Sequence, residues 1–158
     1  QNGVIGATIE DGVQGSQAGA YCRHAGPCIC GDCYEVGGDI ADEFDAQFPG
    51  TFTLSRFGQP GIDIAAAALQ ELAKAGVPAD NVVSSAPAST AATQYLSEDE
   101  ELADLQADGE GEPQLAERFK KIRRSLCTLE NPLWFSHRRA TIAGKAHEGR
   151  MLALIVRE

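Results

Sequence analysis

The chain has 158 residues, 43% of them apolar, enough for one domain with a core of its own. It holds no run of about 18 apolar residues, and no basic region precedes a long apolar stretch at its start, so neither a membrane-spanning helix nor a signal peptide is predicted. The net charge of −10 is local: residues 98–112 carry eight acids and no base, leaving 15 acids against 13 bases elsewhere, and without a basic stripe a nucleic-acid partner is excluded.

In chain order, residues 4–12 read as a helix, with Val4, Ile5, Ala7, Thr8 and Val13 on one face. Residues 18–23 suit a short strand. Residues 26–33 form a loop, because Pro27 fixes the backbone and Gly26 and Gly31 permit tight turns. Residues 36–48 read as a helix whose stripe is Val36, Ile40, Ala41, Phe44 and Phe48, ended by Pro49-Gly50. Residues 51–57 alternate Phe52, Leu54 and Arg56 against Thr51, Thr53 and Ser55, which reads as a half-buried strand with its apolar side to the core. Residues 62–75 predict a helix, with Asp63 favouring its positive end, Ile64, Ala67, Ala68, Leu69 and Leu72 on the buried side, and Gly76 as its stop. Residues 81–84 form a strand. Alternating helices and strands with short connections predict a layered domain of mixed α and β elements.

Residues 86–122 break that rhythm and read either as an acidic, mobile insertion or as a partly disordered stretch. Leu115, Phe119 and Ile122 there fall on one helical face. The acidic stretch itself reads as a solvated segment or an interaction tail. Residues 127–139 read as an irregular loop punctuated by Asn131-Pro132, and residues 151–156 as a buried final strand. His147 reads as a surface residue.

Two clusters carry chemistry. Cys22, Cys28, Cys30 and Cys33 have the spacing C-x5-C-x-C-x2-C, with His24 between the first two. Ordinary thiols, zinc ligands and a redox pair all remain open there, since a structural zinc site usually draws on two separated C-x2-C pairs. With no secretory signal, reduced thiols in a cytoplasmic setting are expected. The second cluster is Phe135-Ser136-His137-Arg138-Arg139. Adjacent Ser136 and His137 point to different sides, which disfavours a Ser-His dyad. Arg138 and Arg139 suit a phosphate or carboxylate, whose oxygens match the guanidinium fork. An exposed charged loop anchored by Trp134 and Phe135 is the alternative. The chain has no P-loop, no G-x-G-x-x-G, no H-E-x-x-H and no G-x-S-x-G.

Gly26-Pro27-Cys28-Ile29 and Tyr34-Glu35-Val36, followed by Cys127-Thr128, Phe135-Ser136 with Arg138-Arg139, and Gly149-Arg150, together resemble the YfiH-type family. That family is described both as a laccase-domain polyphenol oxidase and as a zinc-dependent purine nucleoside phosphorylase. The resemblance covers the chain except residues 86–123. It implies an α+β fold, layered α/β/α with a mixed sheet and similar to that of toxin deamidases, in a cytoplasmic enzyme. It implies a purine nucleoside with phosphate, or a phenolic small molecule, as substrate, and no nucleic-acid or membrane partner.

The family's zinc is held by two histidines and a cysteine, with copper as the alternative metal. All three ligands precede the matched region, and Asn2-Gly3-Val4 looks like sequence that follows the last of them. No metal ligand is therefore assigned in this chain. His24-Ala25-Gly26 echoes the ligand motif His-Ala-Gly-Trp-Arg-Gly, but Pro27 follows it, so the role is not carried over. The resemblance implies a single YfiH-like domain over residues 1–158 without its N-terminal part, an implication that Gln1 in place of Met also suggests. Ser136, Arg138 and Arg139 are then suited to line a phosphate site, with Gly26, Pro27 and Cys28 as a wall. Two other readings compete: a cysteine-rich metal-binding or redox module on Cys22, His24, Cys28, Cys30 and Cys33, and a non-catalytic interaction domain using the acidic segment.

Overall fold

The computed structural model describes residues 23–99 and 115–151. The helix expected at residues 4–12 lies outside the described residues. So do all but the last residue of the strand expected at 18–23, most of the acidic stretch, and the final strand beyond Met151. The chain divides into two compact units, Gln1–Ser85 and Ala86–Glu158.

In the first unit, β1 (Arg23–Ala25) pairs in parallel with β4 (Val82–Ser84), Arg23 opposite Val82 and Ala25 opposite Ser84. β2 (Phe52–Leu54) pairs antiparallel with β3 (Pro60–Ile62), Phe52 opposite Ile62 and Leu54 opposite Pro60. Among the described residues the unit also holds helices α1 (Gly38–Gln47) and α2 (Ile64–Lys74) and a short 3-10 turn, Ala79–Asn81. The class is α+β, as expected. The described strands form two two-stranded sheets, one parallel and one antiparallel, where the sequence expects one mixed sheet.

The hairpin is closed by Ser55 N–H to the Gln59 carbonyl at 2.8 Å and Gly58 N–H to the Ser55 carbonyl at 2.9 Å. Gly58 sits at φ 81°, a left-handed position that favours glycine. Strand β3 is not predicted, because Gln59-Pro60-Gly61 has the composition of a turn. Pro60 is tolerated as the first residue of the strand.

The burial of β2 reverses the expectation. Thr51 and Ser55, flanking the strand, are 0% and 4% exposed, whereas Phe52 and Leu54 are 44% and 67% exposed. The inward hydroxyls have partners: Thr51 Oγ1 donates to the Phe48 carbonyl at 2.7 Å, and Ser55 Oγ to Glu35 Oε1 at 2.6 Å. Asp45 Oδ1 accepts from the backbone of both Thr51 and Phe52 at 2.8 Å. A polar group with a partner loses little on burial, so this network, and not hydropathy, selects the inner face.

The apolar stripe of α1 is narrower than predicted. Ala41 and Phe48 are buried and Phe44 packs its ring 5.0 Å from that of Phe48, but Ile40 is exposed. In α2, Asp63 is the N-cap itself, accepting from Ala66 N–H at 2.9 Å. Ala67 is buried and Leu69 is exposed.

The second unit holds α3 (Ala86–Glu98), α4 (Leu115–Lys120) and α5 (His137–Ile142). The segment read as an insertion thus opens with a regular helix. Its inward residues are Ser89 and Thr93, and α4 buries Phe119. The helix expected to carry Ile122 stops earlier, and Ile122 N–H closes a turn on the Phe119 carbonyl. The predicted loop 127–139 is shortened, because α5 starts inside it.

Candidate functional site

The first motif loop is fastened to the hairpin of its own unit. Val36 N–H donates to the Pro60 carbonyl at 3.0 Å and Ile62 N–H to the Tyr34 carbonyl at 3.2 Å. Thr53 Oγ1 donates to the Gly31 carbonyl at 2.9 Å, and Arg56 N–H to the Asp32 carbonyl at 3.0 Å. A Cβ on Gly61 would come within 2.8 Å of the Tyr34 carbonyl oxygen, so the strand approaches the loop as closely as it does because the residue is glycine. Gly26 is exposed, with nothing near where a Cβ would stand, and Pro27 and Cys28 are half-buried. Cys30 is half-buried and Cys33 is 2% exposed; their sulfurs lie within 4.8 Å of each other.

The second motif lies in the other unit. Ser136, 9% exposed, is the N-cap of α5, its hydroxyl accepting from Arg139 N–H at 3.2 Å. The Arg139 guanidinium turns inward and donates to three backbone carbonyls: Thr128, Asn131 at 3.2 Å and Trp134 at 2.6 Å. Burial lowers its pKa from the usual arginine value, and the nearby Cys127 opposes that shift only in part. Arg138, next to it on α5, is half-buried. His137 Nδ1 lies 3.0 Å from Glu148 Oε1 at the surface. A Cβ on Gly149 would overlap the Phe135 ring, which accounts for glycine before Arg150.

Sequence reasoning overlooked two residues here. Asn131 is 0% exposed and joins the unit: its Nδ2 donates to Thr93 Oγ1 at 3.2 Å and the Ser125 carbonyl at 2.7 Å, while its Oδ1 accepts from Leu133 N–H at 3.0 Å. The Ser125 carbonyl also accepts from Ser89 Oγ and from Trp134 Nε1, each at 2.9 Å. Arg118, on α4, has its pKa lowered to about 10, first by burial and then by the charge of Arg139. Among the described residues of the second unit, Arg118 and Arg139 are the basic residues whose pKa burial lowers; only the Arg138-Arg139 doublet could have flagged one of them.

Comparisons with known proteins bear on the first motif. The family model described as multi-copper polyphenol oxidoreductase laccase matches residues 1–102. The match includes the Gly26-to-Val36 motif and the start of the segment expected to be unmatched; Ser136, Arg138 and Arg139 lie beyond it. Purine nucleoside phosphorylase ORF3 of Streptomyces griseus is 34% identical over 76 residues, 48% of this chain and 31% of that protein. A purine nucleoside phosphorylase of Mycobacterium tuberculosis is 35% identical over 78 residues, 49% of this chain and 31% of that one. One from Deinococcus radiodurans is 46% identical over 52 residues, 33% of this chain and 21% of that one. The chain therefore spans about a third or less of the length of these relatives. No solved structure matches.

Proposed function

The chain belongs to the multi-copper polyphenol oxidoreductase laccase family, and from that membership we propose that it is part of an enzyme that cleaves purine nucleosides with phosphate. The observation that carries this reading is the Gly26-to-Val36 motif, which lies within the family match and is fastened to β3 through Tyr34 and Val36. Matched relatives are named purine nucleoside phosphorylases.

Phosphorolysis joins a phosphate oxygen to the anomeric carbon as the purine leaves with the bonding electrons. It needs an anion site and a polar site for the sugar. Arg138 is our choice for the phosphate, presented from the first turn of α5, with Ser136 and Arg139 fixing that turn and its preceding loop.

The family description implies copper, and the resemblance implies zinc. Such ions take three or four soft or imidazole donors. Among the described residues of the first unit, the thiols of Cys30 and Cys33 come together, which is half of a tetrahedral set. These two do not make the centre by themselves, and no step is routed through a metal here. In this proposal the catalytic metal ligands lie in a part of the protein preceding the matched region, and the working enzyme is cytoplasmic.

The test is a chimaera in which this chain replaces the matched segment of the Streptomyces griseus protein and everything after it. Phosphate-dependent release of purine from inosine, in the presence of zinc, is the expected result. A folded chimaera that releases no purine contradicts the proposal. Oxidation of a phenolic substrate by oxygen is the second reading, favoured by the family description, and the same protein tests it.

A further inference from the structure

We propose that Cys30 and Cys33 are a reversible dithiol–disulfide pair, a modification site within the motif loop that is independent of the substrate reading. Cys33 N–H donates to the Cys30 carbonyl at 2.9 Å, which closes a four-residue turn. Such a turn brings its end Cα atoms to less than about 7 Å, and a disulfide spans Cα separations of about 4.4–6.8 Å. The sulfurs already lie within 4.8 Å of each other, so side-chain rotation, with little backbone movement, brings them to bonding distance.

The turn is also held in place. Between the two cysteines, the Gly31 carbonyl accepts from Thr53 Oγ1 and the Asp32 carbonyl from Arg56 N–H. A Cβ on Gly31 would come within 2.8 Å of the Thr53 methyl group. The loop is thus ordered before oxidation, and ring closure meets a small entropic cost. Exposure divides the labour: Cys30 is half-buried and reachable, whereas Cys33 is 2% exposed and meets the reagent only through Cys30.

The oxidant class is a small-molecule disulfide, for which oxidised glutathione is the probe. The Cys30 thiolate attacks one glutathione sulfur, forms a mixed disulfide and expels glutathione thiolate. The Cys33 thiolate then attacks the Cys30 sulfur and expels the second. Two electrons pass from the cysteine pair to the reagent, two protein thiols become one disulfide, and two glutathione thiols take up the protons.

The experiment equilibrates the whole chain, and its Cys28→Ser and Cys30→Ser variants, in glutathione buffers of rising oxidised fraction. After acid quenching and alkylation, fragment mass spectra locate the bonds. The expected result is a Cys30–Cys33 disulfide in the wild type and in Cys28→Ser, lost on adding dithiothreitol and absent from Cys30→Ser. In a further variant, Cys33→Ser, glutathione stays on Cys30. Thiols that remain alkylatable in every buffer, a bond that pairs Cys28 with either residue instead, or persistent glutathione on wild-type Cys30 would overturn the proposal.

Discussion

Arg139 looks from its neighbours like half of an anion-binding doublet, yet its guanidinium spans the carbonyls of Thr128, Asn131 and Trp134 and fixes the loop before α5. A lysine cannot reproduce that planar fork. Arg139→Lys should therefore destabilise the protein by about 2 kcal/mol in urea unfolding, and a loss below about 0.5 kcal/mol would remove its bracing role. Asn131 was legible only as punctuation before Pro132, because its partner Thr93 stands 38 residues away and no local pattern links them. Asn131→Asp sets a carboxylate oxygen against the Ser125 carbonyl in a fully buried place and should cost about 3 kcal/mol or more; near-native thermal stability would contradict the network. Arg118 gives a pH signature. Burial lowers its pKa from the usual arginine range to about 10, so above pH 10 and up to that range the unfolded chain binds more protons and stability rises with pH. The penalty is full below pH 10 and is relieved through the window. In Arg118→Met, stability relative to wild type should decline as pH passes 10; a pH-independent gap would contradict it.

At the scale of elements, helices were read more accurately than sheet faces. Residues 62–75 carried both a periodic stripe and stop signals, and α2 follows with Asp63 as its cap. Strand β2 was found, but its faces were inverted. Hydropathy alternation gives the period, whereas the choice of inner face was made by Asp45, Phe48 and Glu35, which bond to the backbone and hydroxyls of residues 51, 52 and 55. Strand β3 was missed because Pro60 and Gly61 argue against a strand unless a neighbour needs glycine's close approach. The inverted face predicts an unusual order of mutational costs. Thr51→Val, which loses a buried hydrogen bond, should cost about 1 kcal/mol. Leu54→Thr, on the open face, should stay within about 0.5 kcal/mol. Equilibrium denaturation of both variants checks the order; the reverse order would mean that Leu54 packs inward.

At the scale of the whole molecule, the family was legible because the Gly-Pro-Cys and Tyr-Glu-Val pieces stand together near one end, and the match over residues 1–102 includes them. The division at Ser85 was less legible. The Ala-Pro-Ala-Ser run marks it as a change of composition, but α3 buries Ser89 and Thr93 and so shows no apolar stripe to announce a helix. The candidate residues fall on either side of that division: Gly26, Pro27 and Cys28 lie inside the family match, and Arg138, beyond it, is proposed from its chemistry alone. If Arg138 receives phosphate, Arg138→Ala in the chimaera should raise the KM for phosphate about tenfold and leave that for the nucleoside unchanged; equal KM values would take Arg138 out of the site. The central claim is tested most directly by product analysis of the unmutated chimaera acting on inosine and phosphate. Hypoxanthine and ribose 1-phosphate in equal amounts are the predicted result. An intact nucleoside alongside oxygen consumption with a phenol, or free ribose in place of the phosphate ester, would contradict it.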